Sequence, residues 1–133
     1  MNIENVPFIK IKETIPARPM LPVTIINPHT GKSFSTYGLI DTGADECAFP
    51  AVFAEAIGHN LLKGIIKEVQ TGNGKTSVYS HTVKMDINGI QITDTLIDFM
   101  PNLHMPLLGV RSFLSKFTLI IDYPNKVFSL IEK

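Results

Sequence analysis

Leu39-Ile40-Asp41-Thr42-Gly43-Ala44-Asp45 is the stretch of this chain best suited to chemistry. A carboxylate follows two apolar, strand-type residues and is followed at once by a small, turn-forming pair. A charged group at the end of a buried strand is costly to hold without compensation, so its presence calls for an explanation. The Thr42 hydroxyl can bond across such a loop, and Gly43 lets backbone amides approach the carboxylate with no Cβ in the way. The pattern presents Asp41 as an acid fixed in position. Taken alone, Asp-Thr-Gly also fits a plain surface turn.

Other reactive residues offer less. Cys47 lies beside this segment and invites a nucleophile reading with His59, His81 or His104 as base, yet no neighbour in sequence activates it, so it reads as a small buried hydrophobe. A lone cysteine forms no internal disulfide. The four histidines, His29 among them, have no metal-ligand spacing, so neither a metal nor a cofactor is expected. His81 shares an alternating face with Tyr79 and Val83 and reads as a partly buried, hydrogen-bonded histidine.

The elements that must position Asp41 come from a chain of 133 residues, 44% of them hydrophobic, which suits one soluble domain spanning residues 1–133. Twelve basic residues balance twelve acidic ones without a like-charge run, which argues against a nucleic-acid partner. No segment approaches the ~18 to 20 apolar residues that span a bilayer, and no signal peptide is visible. The expectation is a cytoplasmic protein with no membrane partner.

Short runs of Ile, Val, Phe, Thr and Tyr separated by Gly, Pro and Asn predict mostly β structure. Strands are expected at Val6 to Lys12, Met20 to Asn27 and Ser33 to Ile40. Phe49, Val52, Phe53, Ala56 and Ile57 then repeat at helical spacing, with Pro50 in the first turn and Gly58 just past the end, which predicts one short helix. Ile65 to Thr71 and Thr76 to Ile87 read as a long hairpin whose tip holds Gly72, Asn73 and Gly74. Asn88-Gly89 is a strong hairpin turn, and the apolar register of Ile90 to Phe99 switches from even to odd near Asp94-Thr95, as a bulge would make it do. Val110, Phe113, Leu114 and Phe117 predict a second helix, before a final strand pair at Phe117 to Asp122 and Lys126 to Ile131.

Downstream of Asp41, the apolar segment Met105-Pro106-Leu107-Leu108-Gly109 leads into that second helix. With the Asp-Thr-Gly-Ala-Asp segment and the Gly-rich hairpin between them, the chain resembles the retropepsin-like aspartic proteases, the retroviral-protease family. The resemblance covers most of the chain. It implies an all-β, retropepsin-like acid protease fold, closed like a barrel, with one or two short helices and an active site at a two-fold homodimer interface.

By the same resemblance Asp41 is catalytic, Thr42 and Gly43 shape the active-site loop, and Thr42 bonds to its counterpart across the dimer. A single motif per chain implies a half enzyme, with one Asp41 from each subunit. The implied reaction is hydrolysis of a peptide or protein by water, with one carboxylate accepting a proton while the other donates one. Ala44, Asp45 and Glu46 would border the substrate, with Asp45 bonding to its backbone. Gly72, Asn73 and Gly74 would form a flap over it, and Leu107 would line a side-chain pocket. Ala44 cannot donate a hydrogen bond to the ionised pair as a Ser could, so activity is expected at less acidic pH than in an Ala44→Ser variant.

The chain departs from the family after Gly109, where Arg111 stands one place late and no acid follows. That leaves open whether Arg111 braces the loop through Asp45 or an acidic neighbour, or is a solvated residue. Two alternatives to a self-sufficient enzyme follow. One is a catalytically inactive or partner-dependent peptide-binding or dimerisation module; the other is a precursor activated by loss of Met1 to Ile15.

Overall fold

In the computed structural model, which describes residues 2–132, the β-branched and aromatic runs form ten strands. The first five are β1 (Ile3–Pro7), β2 (Met20–Ile26), β3 (Ser33–Ile40), β4 (Ala48–Pro50) and β5 (Ile65–Thr71). The others are β6 (Gly74–Ile87), β7 (Ile90–Met100), β8 (Leu107–Leu108), β9 (Phe117–Asp122) and β10 (Val127–Glu132). Helical structure is confined to α1 (Val52–Ala56) and two 3₁₀ turns, Leu61–Lys63 and Leu114–Lys116.

The larger sheet runs in the order β2-β3-β8-β4-β7-β6-β5, and β2 also pairs with β6. That second pairing closes six strands into a barrel and leaves β5 outside it, held only by β6. Closure removes the unpaired edges that an open sheet would expose. The barrel interior is filled from alternate positions, such as Val23 and Ile25 on β2 and Val83, Met85 and Ile87 on β6, all essentially without solvent contact. Phe49, Phe99, Phe113 and Phe128 are also fully buried, each contributing about 1.5–3 kcal/mol by removal from water.

A separate three-stranded sheet joins the two ends of the chain in the order β1-β10-β9, all antiparallel. Ile3 of β1 is 5% exposed and packs in the common core with Leu130.

The two predicted turn features are present. Asn88 and Gly89 have φ of +50° and +89°, the left-handed pair of a tight hairpin. Between β6 and β7 the register slips from Val83↔Thr95 to Met85↔Ile92, an extra residue on β7, with Asp94 at φ +50°. The bulge explains why the buried residues change from Ile92 to Ile97 and Phe99.

Three boundaries differ from expectation. The first strand is Ile3–Pro7 rather than Val6 to Lys12, and beyond it only Ile9 makes an isolated bridge, to Arg18. The predicted helix at Phe49 starts later, because Ala48–Pro50 is captured as a strand parallel to Asp98, Phe99 and Met100 of β7. The apolar spacing of Val110 to Phe117 makes turns and a 3₁₀ segment, not an α-helix. There Leu114 and Ser115 donate five residues back, to Gly109 and Val110, and Phe113, Leu114 and Phe117 still reach the core.

Candidate active site

The loop carrying Asp41 wraps around β8. Leu39 and Ile40 pair in parallel with Leu107 and Leu108 on one side, and Ala48 pairs antiparallel with Leu107 on the other. The chain from Asp41 to Cys47 therefore crosses over the end of β8. Backbone bonds fix the crossing: Asp41 N–H donates to Leu108 O at 3.1 Å, Val110 N–H to Ala44 O at 2.9 Å and Arg111 N–H to Asp45 O at 2.7 Å. Gly109 lies directly beneath the loop. A Cβ there would overlap the Glu46 carbonyl oxygen and sit 2.8 Å from that of Ala44, so only glycine allows this approach.

Within the loop, the Gly43 amide donates to Asp41 Oδ1 at 2.9 Å, which orients the carboxylate. Thr42 is exposed, and its hydroxyl has no partner among the described residues.

Arg111 braces the loop despite its late position. Its guanidinium Nη1 lies 3.3 Å from Glu46 Oε1, and Nη2 lies 3.9 Å from Asp45 Oδ2. Ser112, buried, donates its hydroxyl to Glu46 Oε2 at 3.1 Å and accepts the Cys47 amide at 3.1 Å. The Glu46 carboxylate is thus held on both oxygens.

A cleft of about 930 Å³ opens in front of this loop, between it, the β5–β6 hairpin and the segment after β7. Of the residues singled out from sequence, Asp41, Gly43, Ala44, Asp45, Glu46, Gly72, Asn73 and Leu107 line it. Thr42 and Gly74 do not, although they belong to the same two loops. Gly74, at φ +101°, is the left-handed residue that turns the hairpin tip. The tip is closed by Thr71, whose hydroxyl donates to Gly74 O at 2.8 Å and accepts from the Asn73 amide at 3.2 Å.

Asp98 and Lys67 are among the cleft residues not singled out from sequence. Asp98 on β7 is 6% exposed, its Oδ1 accepting from the Ser80 hydroxyl at 2.9 Å and lying 3.1 Å from Lys67 Nζ on β5. The signal available was an Asp flanked by apolar residues, Leu96 and Ile97 before it and Phe99 and Met100 after it. Without the Ala48↔Asp98 pairing, nothing in the sequence places it beside the loop of Asp41.

Cys47 is fully buried, and burial pushes its thiol up to about 11, so the sulfur stays protonated and is no nucleophile. His81 Nε2 bonds Leu61 O at 3.0 Å, as expected of a satisfied histidine. Among the described residues, no three His, Cys, Asp or Glu side chains are grouped so as to hold a metal ion.

A barrel whose Asp-Thr-Gly loop wraps around a short strand and faces a cleft lined by a hairpin has the architecture of an acid protease fold. Residues 31–116 match the family model described as "gag-polyprotein putative aspartyl protease", and the chain belongs to that family. Among solved structures, the chain is similar to a retropepsin-like aspartic protease from Rickettsia conorii. The TM-score there is 0.61 at 21% identity, over 80% of this chain and 97% of that one. It is also similar to the EIAV protease complexed with the inhibitor HBY-793, with a TM-score of 0.54 at 19% identity, over 74% and 88%. At such identities the likeness speaks to the fold, which is retropepsin-like. A comparison with curated proteins gave no match. No helix among the described residues is long and apolar enough to cross a membrane.

Proposed function

We propose that the chain is an aspartic endopeptidase acting as a homodimer, with one Asp41 from each subunit forming the catalytic pair. The observation that carries this reading is the placement of Asp41: its carboxylate is held by the Gly43 amide on a loop fixed to β8 and lines the cleft. One chain supplies one such carboxylate, and the reaction needs two. One takes a proton from water as it attacks the peptide carbonyl carbon, and the other gives a proton to the carbonyl oxygen. Collapse of the tetrahedral intermediate then breaks the C–N bond, with a proton passing to the leaving amine. Two like charges side by side cannot both ionise easily, so the pair shares one proton.

In this reading the free Thr42 hydroxyl bonds to its counterpart across the dimer axis. Asp45 and Ala44 border the substrate backbone, Leu107 lines a side-chain pocket, and the tip at Gly72, Asn73 and Gly74 closes as a flap over an extended peptide. Glu46 contributes mainly by holding the loop through Arg111 and Ser112. The alternative of an inactive binding module drew its support from the unusual segment after Gly109. In that segment Arg111 and Ser112 brace the loop from their shifted positions, and the cleavage experiment decides between the two readings.

The test is cleavage of a diverse peptide library by the wild type and by Asp41→Asn, at concentrations that favour a dimer. The expected result is cleavage by the wild type and its loss in the variant. A demonstrably dimeric wild type that cuts nothing would leave the binding-module reading in its place.

A further inference from the structure

The cleft holds a charged group that the proposed reaction does not use. Asp98 receives both of its contacts, from Ser80 and from Lys67, on Oδ1. Its Oδ2 has no partner among the described residues. No fully buried side-chain oxygen or nitrogen there lacks a partner, so Oδ2 must reach open space, and the space that Asp98 lines is the cleft. An oxygen open to the cleft is hydrated there, and a charged donor that displaces that water would find an acceptor already fixed in place.

The charge around it decides which donor. The cleft is lined by five carboxylates against three cations, Lys67, Lys75 and Arg111. Arg111 is already committed to Glu46 and Lys67 to Asp98. Apolar neighbours are few on this wall: Ala48 lies opposite Asp98 and Met100 is two residues on.

We propose that Asp98 forms a specificity subsite for a basic side chain, lysine or arginine, of the bound peptide, with Ser80 fixing the carboxylate and Lys67 partly offsetting its charge. The inference rests on the reading of this cleft as a peptide site, but not on that peptide being cut. Lys67 comes from β5, outside the barrel, so the pair also links the hairpin that covers the cleft to the cleft wall. An incoming ammonium or guanidinium takes Oδ2 while Lys67 keeps Oδ1.

The experiment uses a pooled peptide library with lysine, arginine or the neutral norleucine at each position, read by mass spectrometry for cleavage by the wild type. In parallel, fluorescence anisotropy measures binding of the same basic and norleucine peptides to Asp41→Asn. The expected result is one position at which a basic residue is preferred, in cleavage and in binding. Asp98→Asn should lower that preference about tenfold or more, the range of a charged hydrogen bond. Lys67→Met should move it the other way, by leaving the carboxylate less compensated. A pair that serves folding alone would shift both variants together and leave the basic-to-norleucine ratio unchanged. No basic preference at any position, or a preference that survives in a folded Asp98→Asn protein, would overturn the proposal. If the wild type cleaves nothing while Asp41→Asn binds basic peptides in an Asp98-dependent way, the subsite stands and the peptidase reading falls.

Discussion

Ser112 and Arg111 both hold Glu46, yet they should differ in worth. The Arg111 side chain is 72% exposed, and an ion pair so hydrated contributes at most about 1 kcal/mol. Ser112 is buried, and its loss strands both the Glu46 Oε2 and the Cys47 amide, which costs about 1–3 kcal/mol. Urea denaturation should therefore show Ser112→Ala to be the more destabilising, and the reverse order would refute this account of the brace. Asp41, Thr42 and Gly43 were legible in sequence because a motif is a local pattern. The brace was only half legible: Arg111 could be named as a candidate, but its partner depended on where Gly109 lets the loop lie. Ala44 supplies the second expectation at this scale. A hydroxyl at position 44 would favour the ionised pair, so Ala44→Ser should shift the pH–rate profile of peptide cleavage toward acid; a shift toward alkaline pH would contradict it.

The β5–β6 hairpin, which lines the cleft, has two stacked histidines at its base. The rings of His59 and His81 lie 4.5 Å apart at 26°, and His59 Nε2 bonds Thr82 O at 3.1 Å. Burial, opposed by that hydrogen bond and reinforced by His81 and His29, lowers the pKa of His59 below its ordinary value of 6.5. The unfolded chain then binds a proton at His59 that the folded chain refuses. Stability from this source is present above about pH 6.5 and is lost as pH falls from there toward the lowered folded value. In denaturation series below pH 6.5, His59→Gln should lose less stability than the wild type; parallel profiles would exclude this role. Hairpin β5–β6 and the Asn88-Gly89 turn could be read from sequence, since alternation and turn residues are short-range signals. The strand at Ala48–Pro50 could not, because its partner is fifty residues away on β7. Helical spacing at Val110 to Phe117 misled for a related reason: turns with longer bonds bury Phe113, Leu114 and Phe117 without an α-helix.

At the scale of the whole molecule, the barrel and the terminal sheet share one hydrophobic core. β1 pairs with β10 of its own chain, and Ile3 is buried in the core. Trimming Met1 to Ile15 would remove that paired strand. The all-β class was evident from composition and turns, whereas closure of the barrel by β2 and β6 and pairing between the chain's ends rest on contacts that no local pattern encodes. The claim that each active site takes one Asp41 from each of two subunits is also one about the whole assembly. It is tested most directly by mixing wild-type and Asp41→Asn subunits in varied ratio at fixed total concentration, letting them exchange, and measuring peptide cleavage. Activity should follow the square of the wild-type fraction, falling to about one quarter in an equal mixture, because only dimers with two Asp41 carboxylates can both accept and donate the proton. Activity proportional to the wild-type fraction would show that a single Asp41 suffices and would contradict the account.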